Sequence, residues 1–70
     1  MVGYELYATG NTVQGNVFKM YSKQVYSKKE DAESNINYFK KRCCSDRVFE
    51  RAVEDSLKIR VIEKEIILRD

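Results

Sequence analysis

The chain has no histidine and only two cysteines, Cys43 and Cys44, which are neighbours. Without an imidazole there is no Ser–His–Asp relay, and two thiols fall short of a four-ligand zinc site. On a helix, adjacent cysteines point about 100° apart, so they are badly placed to bridge each other. Also missing are a glycine-rich phosphate loop, an internal repeat, a linker, a low-complexity tract and any basic–Gly–aromatic–Gly/Ala–aromatic RNA-binding signature. No apolar run reaches membrane-spanning length. The opening MVGYEL has neither the basic flank nor the apolar stretch of a secretion signal. Unbridged cysteines suit a reducing compartment. The expectation is therefore a soluble, cytoplasmic, non-enzymatic protein with no cofactor, no metal and no membrane contact.

Seventy residues make one small domain, 1–70. A chain of this length buries only ~60% of its unfolded surface, and small cores are commonly reinforced by disulfides, a metal or a partner chain. With the first two missing, a partner protein or self-association, such as a homodimer, is expected. The formal charge of +2 is near balance, but it is unevenly spread. Residues 16–47 hold eight basic and four acidic side chains, a net of +4, whereas residues 48–70 come to −1. The middle is basic and the tail mixed.

The most strongly specified stretch runs from Tyr26 to Cys44 and predicts a single helix. Ser27 and Glu30 have the spacing of a capping box. Ala32, Ile36, Phe39 and Cys43 recur at the spacing of one helical face. Glu30, Asp31 and Glu33 crowd the start and Lys40, Lys41 and Arg42 the end, each cluster complementing the helix dipole. Ser45 and Asp46 end the run with turn formers.

Strands flank this helix. Val2 to Thr9 alternates, with Val2, Tyr4, Leu6 and Ala8 on one face and Gly3, Glu5, Tyr7 and Thr9 on the other. GNTVQGN then reads as a loose loop with a mobile tip, because Gly and Asn tolerate positive φ. Asn16 to Tyr26 is a second strand with Phe18 and Met20 toward the core. Strict alternation would also turn Ser22 and Gln24 inward, which calls either for a bulge at Ser22–Gln24 or for a strand that outruns its helix.

Residues 47–55 fit a short helix or a strand. The turn residues Glu54, Asp55 and Ser56 favour a strand from Val48 to Val53, leading by hairpin into the next run. Leu57, Ile59 and Val61 alternate with Lys58, Arg60 and Ile62 in a β-branched strand expected to be central. Glu63-Lys64-Glu65 continues the strand or begins a tail. The expected architecture is α+β, a β-β-α-β-β order with an antiparallel sheet of three or four strands and one helix on one face.

Three surfaces are candidates for binding. Tyr7, Lys19, Tyr21 and Lys23 share the face opposite the helix, where rings between cations could stack bases; an ordinary solvated sheet face has the same composition. Lys40, Lys41 and Arg42 form a basic cluster that dipole complementarity already explains. Ile66 and Leu68 lie in an apolar C-terminal run that needs a cover and suits edge pairing with another chain, unless Glu63-Lys64-Glu65 guards against it. Cys43, on the apolar stripe, reads as a buried small hydrophobe and Cys44 as an exposed, oxidisable thiol. The expected function is a non-catalytic interaction or regulatory protein that binds another protein or itself. The alternative is a nucleic-acid-binding module using the Tyr/Lys face and the basic helix end.

Overall fold

In the computed structural model, residues 1–45 and 50–66 are described. The element order is β1 (Val2–Asn11), β2 (Val17–Tyr21), α1 (Lys29–Ser34), α2 (Ile36–Cys43), a 3₁₀ turn (Glu54–Ser56) and β3 (Lys58–Glu65). The class is α+β. Among the described residues the sheet has three antiparallel strands in the order β2-β1-β3, so neither the fourth strand nor the β-β-α-β-β order is found. β3 was expected at the centre, yet β1 takes that place. At ten residues, β1 is long enough to pair with β3 over Val2–Thr9 and with β2 over Tyr7–Asn11.

The helical layer and one sheet face enclose a core of Leu6, Ala8, Phe18, Ala32, Phe39, Cys43 and Ala52. Tyr4, Met20, Tyr26, Ile36, Leu57, Ile59 and Val61 pack around it half-buried. The apolar stripe at Ala32, Ile36, Phe39 and Cys43 therefore faces the sheet as its spacing predicts. Two α-helices, however, replace the one expected from Tyr26 to Cys44. At Asn35 the chain leaves helical geometry (φ −101°, ψ 3°). The Asn35 side-chain amide and the Ser34 hydroxyl both donate to the Asp31 carbonyl, at 2.7 and 2.9 Å. Such side chains compete with backbone donors for a helical carbonyl.

No capping box forms either. Lys28 is the N-cap, with extended dihedrals and no side-chain cap bond. The preceding Tyr26 is held in the sheet by paired bonds to Tyr4 (N–H to O, 2.7 and 2.8 Å). Ser27 follows directly from that bridge, one residue too early to cap.

The second strand, expected to run to Tyr26, ends at Tyr21. Between Ser22, which bonds to Leu6, and Tyr26, which bonds to Tyr4, the chain beyond β2 has three residues where β1 has only Glu5. This bulge contains two extra residues, and Lys23 within it adopts φ 62°. Buried Ser22 makes it workable: its N–H donates to the Leu6 carbonyl (2.9 Å), while its hydroxyl accepts from the Leu6 N–H (3.2 Å) and donates to the Gln24 carbonyl (3.0 Å). An inward serine that strict alternation finds awkward thus replaces a missing ladder carbonyl.

The β1–β2 loop is also more tightly held than expected. Buried Thr12 accepts from the Asn16 N–H through Oγ1 (3.0 Å), Gly15 turns at φ 89°, and Val13 N–H donates to the Arg51 carbonyl (3.0 Å). Of the expected Val48–Val53 strand, Ala52 makes one antiparallel bridge to Thr12, and a 3₁₀ turn stands where a hairpin turn was expected. Val48 and Phe49 lie outside the described residues, as do Asp46, Arg47 and Leu68. Glu63, Lys64 and Glu65 continue β3.

Candidate functional site

Antiparallel register puts directly opposed residues on the same side of the sheet. The helices lie over Leu6, Ala8 and Phe18, and among the described residues no element covers the other side except at its Gly3 end. Along it, Lys19, Thr9 and Lys58 form one row across the three strands, and Tyr21, Tyr7 and Arg60 the next. Glu5 faces Ile62 in the following row, and Gly3 faces Lys64. Tyr7 and Tyr21, both expected on this face, stack with ring centroids 4.5 Å apart and planes 26° apart. Such pairs contribute about 0.5–1.5 kcal/mol beyond their buried area. Tyr21 remains 50% exposed, so a large part of its ring is free.

β3 adds cations to this surface, Lys58 and Arg60 among them, which its alternation with Leu57, Ile59 and Val61 already turns away from the core. Lys58, Arg60 and Lys64 join Lys19 and Lys23 on or beside the face, and all five are exposed. The one carboxylate in its register rows is Glu5, which is 5% exposed and 4.0 Å from the Lys64 ammonium. Glu5 lies in a shallow depression of ≈ 640 Å³ that Tyr21, Lys23, Val25, Ile62, Glu63 and Lys64 also line. At one end the bulge closes over the sheet. A Cβ on Gly3 would meet Val25 Cγ1 and Ile66 Cδ1 inside contact distance, so these two side chains cover the strand where glycine leaves room. Ile66 is therefore half-buried, and its N–H donates to the Met1 carbonyl at 2.8 Å.

The helix-end cluster divides. Lys40 pairs with Glu54 of the 3₁₀ turn at 3.7 Å, an exposed ion pair that links α2 to the loop before β3. Lys41 lines a hollow with Asn37, Lys40, Cys44 and Glu54. Arg42 alone reaches the outer edge of β2, where it shares a notch with Lys19, Met20, Tyr21 and Lys23. Of the three cations expected to act together, Lys40 and Lys41 thus share one hollow and Arg42 lies apart from them.

The thiols are held protonated. Burial pushes Cys43 up to about 11, with Cys44 adding to the rise and Arg42 opposing it. Its Sγ lies 3.8 Å from Met20 Sδ, beneath β2. Cys44, expected to be exposed, is half-buried, and its thiol is also raised by desolvation and by Glu54 against the pull of Lys40. Among the described residues no three Cys, Asp or Glu side chains converge as metal ligands, and no helix is long and apolar enough to cross a membrane.

Compared with models of protein families, with curated proteins and with solved structures, the chain matches none of them.

Proposed function

We propose that this chain is a non-catalytic binding module that engages an acidic macromolecule through the open face of its sheet. The observation carrying this reading is the charge imbalance of that face: five exposed cations surround a stacked tyrosine pair, and the sole carboxylate in its register rows is buried against Lys64. A solvated sheet face ordinarily mixes both signs, whereas a surface of one sign creates a potential that draws and orients an oppositely charged partner. Both thiols are held protonated, away from this face, and the sequence offers no imidazole to activate either, which favours binding over catalysis.

Apolar edge pairing through Ile66 and Leu68 has less support, because Ile66 is engaged over Gly3. The partner is thus chosen by charge rather than by strand addition.

The test is an amide chemical-shift titration with polyglutamate, a generic polyanion, at low salt. The largest shifts should fall on Tyr7, Lys19, Tyr21, Lys58 and Arg60, and should vanish both in 0.5 M salt and in the double variant K58E/R60E. No response, or shifts concentrated on α1, would refute the binding face.

A further inference from the structure

The notch at the β2 edge holds both kinds of group that a nucleic-acid strand offers contacts for, cations and an aromatic ring. Its volume is ≈ 400 Å³, and Lys19, Met20, Tyr21, Lys23 and Arg42 line it. The three cations come from a strand, a bulge and the last turn of a helix. Among the described residues none of the three is in an ion pair, and no acidic side chain lines the notch. Lys23 is brought there by a left-handed backbone (φ 62°), a conformation that is uncommon for a residue with a side chain and often accompanies a functional constraint. The inner strand supplies Tyr7 to one side of the Tyr21 ring at 4.5 Å. β2 is an edge strand, and Tyr21 lines the notch on its outer side as well as the depression over Glu5.

We propose that this notch binds single-stranded nucleic acid, with backbone phosphates on Lys19, Lys23 and Arg42 and a base on the outer surface of Tyr21. The site rests on the open sheet face being the binding surface, to which it is the entrance. An acidic peptide would satisfy the cations, but it offers no regularly placed planar group for the ring. A nucleotide strand repeats phosphate and base together, and a base reaches a side-chain ring only when it is not paired in a duplex. From the notch, the rows Lys19–Thr9–Lys58 and Tyr21–Tyr7–Arg60 continue the same alternation of cation and ring across the sheet. Of the helix-end cluster, only Arg42 takes part.

The probe is a fluorescein-labelled twelve-residue oligothymidylate, with anisotropy followed between 50 and 300 mM salt. R42Q should weaken binding roughly threefold to tenfold and lower the slope of log K against log salt by about 0.7, the signature of one lost phosphate contact on a single strand. K41Q, on the other side of the same helix end, should stay within about twofold of the parent. Y21L should lose roughly fivefold or more, and Y21F, which keeps the ring, should bind as the parent does. A melting curve for each variant separates lost contacts from lost fold. Equal effects of R42Q and K41Q, or an unchanged affinity in folded Y21L, would overturn the notch. Failure of the oligonucleotide to bind at 50 mM salt, while polyglutamate still shifts the sheet face, overturns the notch and leaves the binding face standing. Silence from both probes overturns both.

Discussion

Lys23 and Ser22 show opposed demands at neighbouring positions. A left-handed conformation costs a side-chain-bearing residue about 1–2 kcal/mol, and glycine avoids this at the expense of ~0.5–1 kcal/mol of unfolded-chain freedom. Lys23→Gly should therefore stabilise the protein by about 0.5 kcal/mol in urea denaturation while weakening oligonucleotide binding; a lysine with only a structural role would show the first effect without the second. Ser22→Ala should cost about 1–2 kcal/mol, because the Leu6 N–H would lose its acceptor in a buried setting. Cys43 gives a pH signature. Its folded-state pKa is raised from 9.0 to about 11, so its stabilising contribution is complete below pH 9 and disappears as pH rises through 11. Thermal melting of the parent should fall across that window, with a shallower fall in Cys43→Ala measured against its own value at pH 7.

At the scale of elements, the joints matter more than the elements themselves. β1 is tied to the 3₁₀ turn where the Ser56 hydroxyl accepts from the Asn11 N–H (3.0 Å) and donates to the Val53 carbonyl (2.7 Å). Gly10 makes room for this contact: a Cβ there would stand 3.0 Å from the Ser56 carbonyl oxygen, tighter than ordinary contact and against backbone. Gly10→Ala should therefore destabilise by roughly 1–3 kcal/mol, the range typical of overpacking, as measured by the urea midpoint. The Lys40–Glu54 pair at the other joint is exposed on both sides, so removing it should change stability by less than about 1 kcal/mol.

The helix stripe, the first strand and the core-facing Phe18 and Met20 were legible because periodicity encodes which residues share a face. The break at Asn35 was not, since a competing side-chain bond leaves the apolar spacing intact. The bulge was legible only as a conflict: Ser22 and Gln24 in a strand that wanted apolar residues there.

At the scale of the whole molecule, the core of the described residues is thin: three of its seven buried apolar residues are alanines, and Phe39, Leu6 and Cys43 are the largest fully buried side chains among them. Phe39→Ala should remove about 3–5 kcal/mol, against a total of roughly 4–10 kcal/mol for a domain this size. Near-UV circular dichroism of the tyrosines should show that variant largely unfolded at 25 °C or at modest urea.

The two faces of this molecule have different origins. The helix, the strands and the apolar side of each follow from local patterns, because an amphipathic element carries its own instruction about which face to bury. The pairing of β1 with β3 is a different matter: it joins residues 49 to 63 positions apart, and no local periodicity specifies which edge a strand will take. Tertiary structure thereby turned Lys58, Arg60 and Lys64 into neighbours of the tyrosine stack, and carried Arg42 away from Lys40 and Lys41 to the rim of β2. Composition and periodicity determined that there would be a sheet with helices packed on one face, while long-range pairing decided which charges would meet on the other.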